Sequence, residues 1–136
     1  GLVGSEMCIR DRSRSVWKEI PYPEIEWGED YVWASLAIKA GFQKAYADDA
    51  IVFHSHDFPT KRLFKAAMEE GAFWMKEFGI ELHGDLKAAI EAMNARDRAF
   101  ALKHGIAPHL LRGRLKSNET LVAGRYEGMR RQKNLA

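Results

Sequence analysis

The chain has 136 residues, a length that suits one compact domain and little more. Apolar residues make up 46% and charged residues 29%, so a real core can form and the composition is not that of a disordered chain. Net charge is only +2, no apolar stretch approaches the ~20 residues of a membrane span, and the single cysteine, Cys8, excludes an internal disulfide and fits a reducing compartment.

Residues 1–12, "GLVGSEMCIRDR", carry no helical or strand period and no apolar core for a signal peptide. They resemble the translated reading frame of a transposase adapter used in shotgun sequencing libraries, from Leu2 through Asp11 with Arg12 at the junction. On that reading they are a cloning scar that includes Cys8. The natural protein then extends upstream, and this chain is its C-terminal part. A genuine flexible N-terminus is the alternative.

The next stretch, residues 13–80, holds most of the pattern. Ser13–Glu19 reads as a short helix with Val16 and Trp17 turned inward. Pro21 and Pro23 then force an extended path, and Gly28 frees the backbone for a sharp turn. Glu29–Ala40 reads as a helix with Val32 and Leu36 on one face, broadened by Trp33 and Ala37, and with Gly41 as its stop. Lys44–Ala47 and Ala50–His54 read as two short strands around a turn at Asp48-Asp49. Asp57 or Thr60 can cap the following helix, with Pro59 in its first turn. Its apolar stripe runs from Leu63 through Ala67, Gly71 and Trp74 to Phe78, and Gly79 ends it.

Residues 81–136 read as a helical C-terminal extension. Asp85 opens a helix that continues to about Lys103 with Leu86, Ala89, Ile90 and Met93 inward. Gly105 and Pro108 close it. A last helix over about Ser117–Gln132 is weakened by Gly124 and Gly128, at about 1 kcal/mol each relative to Ala. From Arg112 to Lys133 there are seven Lys/Arg against two Glu, an excess that could meet phosphates or anionic headgroups or simply be a solvated face.

Two groups of residues could carry chemistry. Glu29 and Asp30 stand in the first turn of a helix, between Trp27 and Trp33. Acids there oppose the macrodipole for about 0.3–1 kcal/mol whatever else they do. A carboxylate so placed could also take a proton from a hydroxyl as that oxygen attacks an electrophilic carbon. The tryptophans could be an apolar wall, a platform for a sugar ring, or plain core. His54 and His56 leave a strand end at spacing two, so both face one way and could hold a divalent metal if further ligands exist. Two loop-edge histidines bonded to backbone are the alternative, and His83, His104 and His109 are scattered without ligand spacing. The sequence contains no Walker glycine loop, G-x-G-x-x-G, C-x-x-C or G-x-S-x-G, which removes most enzyme classes.

Taken in order, Gly28-Glu29-Asp30, Ala40-Gly41-Phe42, Tyr46-Ala47, Asp49-Ala50 and Val52-Phe53-His54-Ser55-His56 form a spaced series. Preceded by an Arg-Ser start and "IPYP", that series resembles the C-terminal half of the catalytic domain of family 2 glycosyltransferases, bacterial rhamnosyltransferase-like members above all. The resemblance covers about residues 13–78. It implies an α/β fragment, the acceptor-side part of a GT-A nucleotide-sugar transferase fold, with two short strands, mostly helices and a helical tail. It implies inverting transfer from a nucleotide-sugar donor to the hydroxyl of a glycan or lipid-linked acceptor, in cell-envelope polysaccharide synthesis. Asp30 corresponds to the general base, Glu29 and Trp27 would bind the acceptor, and His54, with His56 close behind, would ligate Mg²⁺ or Mn²⁺.

The departure from that pattern is the nucleotide-binding half with its acidic metal motif, which these 136 residues do not contain. The fragment is therefore expected to be nearly inactive alone. The expected setting is cytoplasmic, peripheral at the inner face of the plasma membrane, with no nucleic acid partner. A competing class is a small helical binding module whose basic tail contacts anionic surfaces or nucleic acid. A metal-dependent hydrolase on His54 and His56 lacks enough ligands in view.

Overall fold

A computed structural model describes residues 14–25, 27–45 and 59–135. Five helices account for 75% of them, and no strand occurs among the described residues. Contacts divide the chain into two compact units, residues 1–57 and 58–136.

The first unit contains α1, Arg14–Glu19, and α2, Glu29–Lys39. Val16 is half-buried, but Trp17 is 46% exposed, so only one of the two expected inward residues turns in. The buried face of α2 is set by Trp33 and Ala37 rather than by Leu36, which is 40% exposed. The cause lies in the proline segment. Its extended path carries Ile20 and Tyr22 against the helix. The Trp33 indole Nε1–H donates to the Ile20 carbonyl at 2.6 Å, and its ring stacks on Tyr22 at 5.5 Å. Two aromatic rings and one hydrogen bond thus rotate the helix relative to its apolar pattern. At its end, the Phe42 N–H reaches the Ala37 carbonyl and the Gly41 N–H that of Ile38, closing the last turn as expected.

The α/β expectation is overturned. Lys44 and Ala45 open the first expected strand, yet their backbone is irregular. The rest of that strand, and all of Ala50–His54, lie outside the described residues. The regular structure among the described residues is all helical, so a GT-A fold with two strands has no support. The strand reading rested on short runs, one of them β-branched and aromatic, around a turn, and runs of that length do not separate strand from other extended backbone.

The second unit is built from α3, Thr60–Phe78, α4, Leu86–His104, and α5, Pro108–Lys133. Pro59 caps α3 with no side-chain bond, so Thr60 begins the helix rather than capping it. Asp85 does cap α4, its carboxylate accepting the Ala88 N–H at 2.6 Å. Pro108, expected to close the preceding region, opens α5 from the first helical position, where its missing N–H costs nothing. The last helix is therefore much longer than Ser117–Gln132.

The glycines of α5 explain the core. A methyl group at Gly128 would collide with the backbone of Met68 and Ala72, and one at Gly124 would lie 2.7 Å from the Ala67 methyl and the Phe64 carbonyl. Across the contact, a methyl at Gly71 would strike the Arg125 backbone. Contacts rise together along both helices, from Phe64 against Gly124 to Ala72 against Gly128, so α3 and α5 run parallel with backbones nearly touching. The helix-propensity penalty of these glycines is offset by the close packing it permits. Ala67 is buried at this seam; Val122 and Met129 of α5 are buried as well, and the Leu82 N–H is 3.0 Å from the Met129 sulfur.

Helix α4 instead meets α5 antiparallel, through polar groups. Asn118, 1% exposed, donates from Nδ2 to Asn94 Oδ1 at 3.1 Å and to Asp97 Oδ2 at 2.8 Å, and Arg114 Nε donates to the same Asp97 oxygen. Burial alone would raise the Asp97 carboxyl, but the bonds from Asn118 and Arg114, with the charges of Arg114 and Arg96, hold it below its ordinary value.

Candidate functional site

The acid pair sits at the head of α2. Gly28 takes a left-handed conformation (φ 74°, ψ 22°) that an L side chain rarely adopts. From there its carbonyl accepts the N–H groups of Tyr31 and Val32, at 3.0 and 3.2 Å. Gly28, the N-cap residue, makes no side-chain capping bond. Asp30 instead folds back within the turn, Oδ1 accepting the Tyr31 N–H at 2.9 Å. Asp30 is half-buried and Glu29 exposed, as expected for neighbours set about 100° apart on a helix. Both the dipole role and the general-base role are compatible with this placement.

The two flanking tryptophans part company. Trp33 is 7% exposed and committed to Tyr22 and Ile20, so it belongs to the core. Trp27 is half-buried and stacks on Tyr31, with centroids 6.3 Å apart and planes 12° from parallel. Tyr31 was not among the expected site residues. Its spacing of four from Trp27, across a helix start, is the signal that could have found it.

His54 and His56 lie outside the described residues, as do Asp57 and residues 1–12. Among the described residues no three His, Cys, Asp or Glu side chains come together as a metal site. The described residues therefore do not supply one.

The other histidines all belong to the second unit. His104 ends α4 with its ring 4.2 Å from Phe100, and His109 stands in the first turn of α5. His83, in the connection before α4, buries its Nε2 without a hydrogen-bond partner. Burial, then the positive charge of Arg125, lowers its imidazole below the ordinary 6.5, against the opposing pull of Glu70. Glu70 and Arg125 themselves form a bidentate pair between α3 and α5, at 2.7 and 2.8 Å.

The basic excess of the C-terminal segment is largely balanced in space. Arg114 pairs with Asp97, Arg125 with Glu70 and Lys133 with Glu81. Arg130 and Arg131 both hold Glu127, and their hydrogen bonds lower its carboxyl to about 2. Three of these five cations take a carboxylate from outside the segment, which a charge count along the sequence does not register.

No described helix is long and apolar enough to cross a membrane. Compared with known proteins, the chain matches no family model, no curated protein and no solved structure.

Proposed function

We propose that this chain carries the acceptor side of an inverting glycosyltransferase that moves a sugar from a nucleotide-sugar donor to an acceptor hydroxyl, in the cytoplasm, for cell-envelope polysaccharide. The observation that carries the reading is the head of α2, where the left-handed Gly28 is followed by half-buried Asp30 and the Trp27 and Tyr31 rings stack across the same turn. The resemblance of residues 13–78 to family 2 glycosyltransferases adds to it.

In the proposed step an acceptor hydroxyl approaches Asp30. Its oxygen attacks the anomeric carbon from the face opposite the diphosphate. The O–H proton passes to the Asp30 carboxylate, the new C–O bond forms, and the old bond to the diphosphate breaks with its electron pair. Glu29, exposed one residue earlier, orients the acceptor through its hydroxyls. Trp27 offers a flat apolar face for the sugar ring. His54 and His56 are the expected ligands of Mg²⁺ or Mn²⁺, together with acidic ligands from the donor-binding half that these residues do not include.

The test is turnover of the full-length protein on a panel of nucleotide sugars, with Asp30→Asn alongside. Loss of a proton acceptor lowers kcat by about 10²–10⁴-fold with the donor KM little changed. A variant that turns over normally removes Asp30 from the mechanism.

A further inference from the structure

The turn between α4 and α5 brings exposed leucines and cations without ion pairs together. Leu102, in the last turn of α4, is 87% exposed, and Leu110, in the first turn of α5, is 44% exposed. Between Asp97 and Glu119 the sequence has no acidic residue, and it has five Lys/Arg. Arg98 is paired with Glu91 and Arg114 with Asp97. Among the described residues, Lys103 and Arg112 at the turn have no carboxylate within ion-pairing distance, and both are exposed. The antiparallel pairing of α4 and α5 through Asn94 and Asn118 holds these two helix ends side by side as one tip.

We propose that this tip docks on an anionic lipid surface, with Leu102 and Leu110 entering the headgroup boundary and Lys103 and Arg112 meeting lipid phosphates. Exposed leucines at the same turn as unpaired cations fit that partner on both counts: apolar area is buried and the local charge is opposite in sign. A nucleic acid would use the cations but would leave the leucines in water. The surface is formed by residues remote in sequence from Asp30 and does not depend on glycosyl transfer.

The test is co-sedimentation of the full chain with vesicles of phosphatidylcholine alone and of phosphatidylcholine mixed with phosphatidylglycerol. Binding is expected to the mixed vesicles only, and to weaken as salt rises. Leu102→Ser should lower partitioning about tenfold and Lys103→Glu at least about fivefold. Leu135→Ser, which removes a 79% exposed leucine at the far end of α5, should leave it unchanged. Both altered tip residues are exposed, and unchanged helical circular dichroism checks that each variant is folded. No binding to mixed vesicles overturns the proposal. So does binding that ignores Leu102→Ser, or that falls equally with Leu135→Ser. Equal binding to a short DNA duplex, unaffected by Leu102→Ser, would assign the cations to polyanions in general and overturn it as well.

Discussion

The two units solve the same problem, burying one face of a helix, by different means. Helix α2 is fixed by a few large groups: the Trp33 ring, the stack on Tyr22 and one hydrogen bond to Ile20. Helices α3 and α5 are fixed by the absence of side chains, with Gly71, Gly124 and Gly128 bringing backbone against backbone. An aromatic anchor tolerates change around it but concentrates stability in one residue. A glycine seam spreads stability over its whole length but tolerates no added atom. The difference also bears on function. The first unit leaves half-buried aromatic and acidic groups at a helix head, whereas the second consumes most of its charges internally.

The contrast can be broken most forcefully at the seam. Gly128→Leu should cost more than about 3 kcal/mol, because the new side chain meets the Met68 and Ala72 backbone rather than a movable side-chain tip. Loss of the cooperative urea transition of α3–α5 would report it. In the first unit, Trp33→Ala should cost about 3 kcal/mol. Hydrogen exchange should show faster exchange in the α2 amides, and an equal loss of protection in α5 would mean that the two units do not differ in this way. Asn118→Ala sharpens the comparison within the second unit. It leaves Asn94 and Asp97 short of a buried donor, for about 1–3 kcal/mol by thermal melting.

The smallest effect is a pH dependence from His83. Its imidazole is lowered in the folded chain, so the unfolded chain binds the proton more readily. This stability is present above the ordinary 6.5 and is lost as pH falls through the lower folded value. The melting temperature should drop as pH falls below about 6.5, with His83→Leu flattening that part of the curve.

Helix positions were legible where caps and stops were chemical. Asp85, Gly41 and Gly79 mark their helix ends as read, and the α3 stripe of Ala67 and Gly71 faces inward as its spacing indicates. Three things were not legible. The rotation of α2 depends on Tyr22 and Ile20, which join it only in space. The length of α5 turned on whether Pro108 ends one helix or begins the next, and a proline suits both. The worth of Gly124 and Gly128 depends on a partner helix far away in sequence, while the penalty they carry is local. At the candidate site, the acid pair and its glycine turn were readable from "WGED". The pairing of Trp27 with Tyr31 was present in their spacing of four, but the loss of Trp33 to the core required the proline segment to be placed.

The parallel seam has a consequence for synthesis. Glu70 and Arg125, which join across it, are 55 residues apart. On a growing chain α3 emerges first, and the helix that fits against it is made some fifty residues later. Until the turns of α5 are released, the face of α3 around Gly71 has nothing to pack on, and its apolar stripe is open to chaperones and to other chains. A nascent chain stalled before Arg125 would be a worse aggregation hazard than the finished one.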